Sequence, residues 1–271
     1  MSFFSKRIFL IAEAGINHNG CLKEAFKLVD AAKKNGADAI KFQTYITEKR
    51  VSKDSPIFKI LKKCELSFKD FFLLKKYCDK KKIIFFSTPF DKESVNFLNS
   101  LKVKLFKVAS FDISNYELIN EIVKTKKPTI ISTGMATLKE ISKVYNIFKK
   151  KKVDLALLHC ISSYPNIDEK SYLSNIEFLK QKYDCEIGLS DHTNGIKVPI
   201  YSYLLGSKII EKHFKINNKH KCVDSPVSIT STQLKELKNE LKNIDKIIGF
   251  TQFGFRKEEK FAKQFKRKKI L

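Results

Sequence analysis

Ser207-Lys208-Ile209-Ile210-Glu211-Lys212-His213-Phe214 is an apolar run that ends in an acid and a histidine two residues apart. Residues two apart on a strand share a face, so Glu211 and His213 point the same way from the tip of a buried strand. Twenty-one positions before His213, Leu189-Ser190-Asp191-His192-Thr193 repeats the arrangement, with Ser190 and His192 at the same spacing after another apolar run. Two strand ends that each offer a histidine to one side suggest a shared metal or acid–base centre.

Working outward, similar apolar runs of strand length recur at 8–14, 37–43, 83–88, 104–109, 128–133, 154–160, 185–190 and 207–213. Between them lie amphipathic stretches at 22–34, 68–82, 91–101, 115–126, 137–150, 171–183 and 196–205, with 231–247 after the last strand. Near-continuous apolar strands joined by helical crossovers make a parallel sheet covered on both faces. Eight β-then-α units in about 250 residues fit a single closed (β/α)8 TIM barrel better than an open doubly wound sheet. The barrel is expected over 1–250, with 251–271 a basic tail. Ser67-Phe68-Lys69-Asp70 and Thr230-Ser231-Thr232-Gln233 read as capping boxes that open helices. The segments 44–66 and 214–229 read as long irregular connections, and loops of that length in a compact domain are usually functional.

Composition narrows the function classes. The chain has 271 residues, 43% hydrophobic, and a net charge of +24; of its 53 basic residues only Arg7, Arg50, Arg256 and Arg267 are arginines. The lysines are spread over nearly every helical stretch, with no zinc-finger spacing or RNA-recognition signature, so they read as solvated faces rather than a nucleic-acid surface. Such a field also suits an anionic substrate. The six cysteines form no CxxC pair, and no run is long enough for a signal peptide or a membrane span. The expectation is a cytoplasmic protein with reduced thiols and no membrane partner.

Polar residues gather at the C-terminal ends of the expected strands. Glu13 ends the first; Lys41 and Gln43 the second; Ser87 and Thr88 the third; Lys107 and Ser110 the fourth. The fifth offers Ser132, Thr133 and Gly134, and the sixth His159, Ser162 and Tyr164. Barrel active sites lie at this end, and a polar ring there is costly without a ligand to satisfy it. Plainer roles exist for each residue. A lone strand-end lysine reaches solvent, whereas two among hydroxyls look like an anion clamp. His159 reads equally as a hydrogen-bonded core histidine, and His18 and His220 as surface loop residues.

In order along the chain, these blocks resemble the N-acetylneuraminate (sialic acid) synthase family. The match runs through Ile11 to Gly20 (IAEAGINHNG), Ala39 to Gln43 (AIKFQ), Ser87 to Asp91 (STPFD), Lys107 to Ser110 (KVAS) and Ser132 to Met135 (STGM). It continues in His159-Cys160, Tyr164-Pro165, Ser190 to Thr193 (SDHT) and Glu211 to Phe214 (EKHF). The resemblance implies an enzyme that condenses phosphoenolpyruvate with an N-acetylated hexose. It implies His192 and His213 as ligands of a divalent cation, manganese foremost, with magnesium or cobalt as alternatives. Lys41, Thr88, Lys107, Ser110, Ser132 and Ser190 match positions that hold phosphoenolpyruvate. Glu13 matches a catalytic acid, and Gln43, Tyr164, Glu211 and Asp224 match positions lining the sugar and metal region.

Two departures accompany the resemblance. Family members usually continue into a small antifreeze-like domain that reaches over the partner's site and supplies an arginine, whereas this sequence ends at Leu271. The expectation is a barrel without that domain, a homodimer or a separate lid protein covering the site, and Arg256 or the basic tail as a substitute cover. The second is the loop Val223-Asp224-Ser225-Pro226-Val227-Ser228, which keeps Asp224 and Ser228 in place among changed neighbours, so the sugar is left open. Two rival readings remain: a Schiff-base aldolase using Lys41 or Lys107, and a non-catalytic barrel that binds an anionic partner.

Overall fold

The computed structural model describes residues 3–4 and 8–267. Its core order is β1 (Phe9–Gly15), α1 (Leu22–Lys34), β2 (Ala39–Thr44), α2 (Thr47–Arg50), α3 (Phe58–Cys64), α4 (Phe68–Lys81), β3 (Ile84–Pro89) and α5 (Lys92–Ser100). Then follow β4 (Phe106–Val108), α6 (Tyr116–Lys124), β5 (Thr129–Ser132), α7 (Leu138–Lys151), β6 (Leu155–Cys160) and α8 (Ser174–Lys182). The chain closes with β7 (Glu186–Asp191), α9 (Lys197–Leu204), β8 (Ile209–Lys215), β9 (Ile229–Thr230) and α10 (Ser231–Ile248). All eight expected strands form. Parallel ladders run β3-β2-β1-β8-β7-β6-β5-β4, and the barrel closes where β3 and β4 pack together.

Strand alternation sorts the side chains into two cores. Leu10, Ala12, Ile40, Phe42, Phe85, Ile131, Leu157 and Ile210 face outward and pack with helix residues such as Leu28, Leu74, Val144 and Leu237. Ile11, Ala39, Phe86, Leu105, Ile130, Ala156, Leu158 and Ile209 face inward and fill the N-terminal half of the barrel, with Phe4 packed among them. Gly188 belongs to this inner layer because a Cβ there would lie 2.2 Å from the Ile209 carbonyl oxygen.

Both expected capping boxes form, at Ser67–Asp70 and Thr230–Gln233, and a third opens α7 at Thr137–Glu140. The segment 44–66 is not irregular throughout. It holds α2 and α3, which at four and seven residues are too short to show a helical period in sequence. The segment 214–229 holds one 3-10 turn at Ser225–Val227, after which β9 pairs with β8. After α10, residues 249–267 are exposed, and the hydrogen bonds of Arg256 go to Gln252 and Glu259 within that stretch. The rest of the expected tail, 268–271, lies outside the described residues, as do 1–2 and 5–7 with Arg7. No helix among the described residues is long and apolar enough to cross a membrane.

Candidate active site

One step up the same inward faces, carbon gives way to charge. β1 carries Glu13 above Ile11, β2 Lys41 above Ala39, and β8 Glu211 above Ile209. The ladder places Glu13 opposite both Lys41 and His213, and Ser190 opposite Glu211. Lys41 Nζ lies 2.9 Å from Glu13 Oε2 and 3.6 Å from Glu211 Oε2, and donates to Thr88 Oγ1 at 3.2 Å. Lys107 Nζ donates to Ser132 Oγ at 2.7 Å and to the Val108 carbonyl at 2.9 Å, and lies 3.9 Å from Glu211 Oε1. Ser190 Oγ donates to Glu211 Oε1 at 3.0 Å. Glu211 therefore bridges the two lysines.

The two carboxyls diverge in proton affinity. Burial raises Glu13 above the usual carboxylate range, and Lys41 offsets this only in part. Glu211 is equally buried, yet Lys107 and Lys41 on either side, with the Ser190 hydroxyl, hold it below that range. Burial also lowers Lys107, while Glu13 and Glu211 keep Lys41 raised against the same burial. Environments that push two acids apart assign them different work. Of the two, Glu211 is the better compensated carboxylate and Glu13 the one with the greater proton affinity.

The histidines meet beside this cluster. The His192 and His213 rings have centroids 5.3 Å apart, and Tyr164 stacks on His192 at 4.1 Å. His192 Nδ1 is 2.8 Å from the Ile161 carbonyl, so it carries the proton and leaves Nε2 as the lone-pair nitrogen. His213 Nδ1 lies 3.5 Å from Asp224 Oδ2, a neighbour that raises His213 against the effect of its burial. Four buried atoms converge here without a well-angled hydrogen bond: Glu13 Oε2, Glu211 Oε2, His213 Nδ1 and Asp224 Oδ2. Glu13 Oε2 has its lysine contact at 2.9 Å nonetheless. Among the described residues no cluster of three or more His, Cys, Asp or Glu forms a ready-made metal cage. The donor set fits an ion held by two imidazoles, with its remaining positions open to water and substrate oxygens.

The loops after β1 and β8 are pinned locally. Gly15 takes φ +51° at a bulge in β1, and a Cβ there would lie 2.9 Å from Asp224 Oδ2 and 3.2 Å from Glu13 Oε1. Asn17, fully buried, donates to the Phe214 carbonyl and Ser228 Oγ and accepts from Asp224 N, tying the loop after β8 to the loop after β1. Ser110 Oγ accepts from Gly134 N at 3.0 Å.

Every expected site residue but Asp224 lines one opening at the C-terminal end of the barrel: Glu13, Lys41, Gln43, Thr88, Lys107, Ser110, Ser132, Tyr164, Ser190, His192, Glu211 and His213. Asp224 stands behind His213. A wider groove at the opposite end, between α7, α8 and the starts of β6 and β7, is lined by surface lysines and lacks this chemistry. His159 is not in the site. It faces outward and bonds the Ser171 carbonyl through Nε2, while its neighbour Cys160 takes the inward position, 3.9 Å from His192 Nδ1. His18 is not a surface residue either: it is 1% exposed, and burial lowers its pKa to about 4.

Sequence reasoning passed over two further groups. Lys212, between Glu211 and His213, faces outward, fully buried. It pairs with Asp191 at 2.5 Å and donates to the Thr193 carbonyl, so one side chain spans both residues that flank His192. Arg50, at the end of α2, reaches the opening beside Gln43.

Comparison with known proteins agrees with this geometry. Residues 28–252 match the NeuB family model. The chain is 36% identical over 261 residues to N,N'-diacetyllegionaminic acid synthase of Campylobacter jejuni, covering 90% of this chain and 78% of that protein. It is 35% identical over 259 residues to pseudaminic acid synthase of the same organism, covering 90% and 76%. The crystal structure of an N-acetylneuraminic acid synthetase from Leptospira borgpetersenii, in complex with citrate, superposes with a TM-score of 0.91 at 38% identity, covering 96% of this chain and 91% of that one. The chain is thus a (β/α)8-barrel enzyme that belongs to the NeuB family, alongside relatives named as sialic, legionaminic and pseudaminic acid synthases.

Proposed function

We propose that this enzyme condenses phosphoenolpyruvate with an N-acetylated hexose to give a nine-carbon 2-keto-3-deoxy sugar acid and phosphate, as a step in surface-glycan synthesis. The observation that carries the reading is the buried pair Lys41 and Lys107, bridged by Glu211 and surrounded by the hydroxyls of Thr88, Ser110, Ser132 and Ser190. Ammonium and hydroxyl donors packed around one opening suit a small molecule that carries both a phosphate and a carboxylate.

Lys41, Lys107 and the four hydroxyls hold phosphoenolpyruvate so that its carbon 3 faces the acceptor's aldehyde. A divalent cation, manganese foremost, held by His192 and His213 would act as a Lewis acid toward that aldehyde oxygen. Carbon 3 bonds to the aldehyde carbon, leaving cationic character at carbon 2, which the Glu211 carboxylate stabilises. Glu13 takes a proton from the water that adds at carbon 2, as its raised proton affinity suits. Collapse of the adduct breaks the carbon–oxygen bond and releases phosphate. Gln43 and Tyr164 line the sugar side, with Asp224 behind His213, and their neighbourhood to His213 and Gly15 supports that division of the site.

The test is phosphate release from phosphoenolpyruvate with manganese and a panel of N-acetylated and diacetamido hexoses. Release that depends on one acceptor supports the reading. Absence of release with every acceptor removes it, and trapping of a keto acid by borohydride on Lys41 or Lys107 would replace it with the Schiff-base aldolase.

A further inference from the structure

Arg50 is one of four arginines in the chain and lies on α2, in the segment after β2. Its guanidinium carbon sits 3.6 Å above the centroid of Phe90 and 4.7 Å from that of Tyr45. One edge nitrogen, Nη1, donates to Gln43 Oε1 at 3.0 Å. Among the described residues no carboxylate oxygen comes within the 4.0 Å of an ion pair. The group nevertheless lines the same opening as Glu13, Lys41, His192 and His213.

Arginine keeps its charge in proteins, and the carboxylates that act on Arg50, Asp112 and Asp224, do so from beyond ion-pair distance, so its buried charge is incompletely satisfied. Stacking on Phe90 occupies the face of the guanidinium; it leaves the in-plane N–H donors unused. Five donors with one hydrogen bond to a neutral amide leave an edge free to bind a ligand oxygen. Gln43 ties the guanidinium toward the loops after β1 and β8: its Oε1 accepts from Arg50, and its Nε2 lies 3.5 Å from the Cβ position of Gly15, which is itself 2.9 Å from Asp224 Oδ2.

We propose that Arg50 is a specificity-determining residue for the acceptor sugar: its free edge binds an oxygen of that sugar, supplied by an acylamido carbonyl or by a phosphate ester. The inference rests on the condensation reading above and adds to it the group that selects the acceptor. Fork geometry matters for a neutral planar carbonyl, whereas a point charge suffices for phosphate, so lysine at position 50 separates the two sources.

The experiment is steady-state kinetics of wild type, Arg50→Met and Arg50→Lys with N-acetylmannosamine, its 6-phosphate and a 2,4-diacetamido hexose. Arg50→Met keeps an unbranched apolar side chain next to Phe90 while removing the guanidinium, and an unchanged KM for phosphoenolpyruvate reports an intact barrel. The expected result is a KM for the acceptor raised about tenfold or more in Arg50→Met, the size of a lost charge-assisted hydrogen bond, with the phosphoenolpyruvate KM within about twofold. Recovery in Arg50→Lys with the phosphate ester assigns a phosphate oxygen; no recovery with the neutral sugars assigns the acylamido carbonyl. An unchanged acceptor KM, or a change confined to phosphoenolpyruvate, overturns the inference while leaving the condensation intact. Wild-type enzyme that releases no phosphate with any acceptor overturns the condensation reading and this inference together.

Discussion

The two ends of the barrel interior are built by the same strands, on the same faces, two residues apart. At the N-terminal end Ile11, Phe86, Ile130, Leu158 and Ile209 interdigitate as a dry core. At the C-terminal end Glu13, Lys41, Lys107, Ser132 and Glu211 form a buried charged cluster in which Glu13 Oε2 and Glu211 Oε2 have ion-pair contacts but no well-angled hydrogen bond. The lower layer gains stability from apolar burial and close packing. The upper layer gives some of it up, because desolvated charges are poorly repaid by one another. Stability and the proposed chemistry are thus separated along the barrel axis.

Substitutions in the two layers should split accordingly. Phe86→Ala is expected to cost about 3–5 kcal/mol in urea unfolding while leaving both KM values of the folded fraction unchanged. Lys41→Met is expected to lower kcat/KM by about 10²–10³-fold. Its stability loss should be smaller than that of Phe86→Ala, because Glu13, already raised in proton affinity, can take up a proton when its partner is gone. A Lys41→Met enzyme that is active but unstable would erase the distinction between the layers.

A subtler effect comes from His18, buried in the loop after β1. Burial, partly offset by Asp224, lowers its pKa from 6.5 to about 4. The unfolded chain binds the proton from pH 6.5 downward and the folded chain does not until about pH 4, so stability falls as pH drops through that window. The difference of 6.5 − 4 units corresponds to about 3 kcal/mol. His18→Gln should flatten the wild-type slope of unfolding free energy between pH 7 and 4 by that amount. Parallel slopes in the two proteins would mean that His18 is not the group responsible.

Much of this layering is legible in the sequence, and the exceptions have physical causes. In Ile209-Ile210-Glu211-Lys212-His213 the polar residues at 211 and 213 mark the inward face, so the histidine pair and its barrel could be read together. Leu155-Ala156-Leu157-Leu158-His159-Cys160 is apolar on both faces, so nothing in it says whether His159 or Cys160 turns inward. His18 reads as a loop residue because the groups that act on it, Phe42 and Asp224, come from distant segments. Lys212 is masked by its position between two inward-facing residues. Arg50 escapes notice because α2 is a single turn, and its place in the site depends on stacking over Phe90, 40 residues away.

The proposed chemistry turns on which bond of phosphoenolpyruvate breaks. Turnover with oxygen-18 in the bridging carbon–oxygen position, read by phosphorus NMR of the released phosphate and mass spectrometry of the sugar acid, measures this directly. Water addition at carbon 2, with Glu13 taking the proton, predicts all of the label in inorganic phosphate. Label retained in the 2-keto acid would mean phosphorus–oxygen cleavage and would contradict the role assigned to the charged end of the barrel.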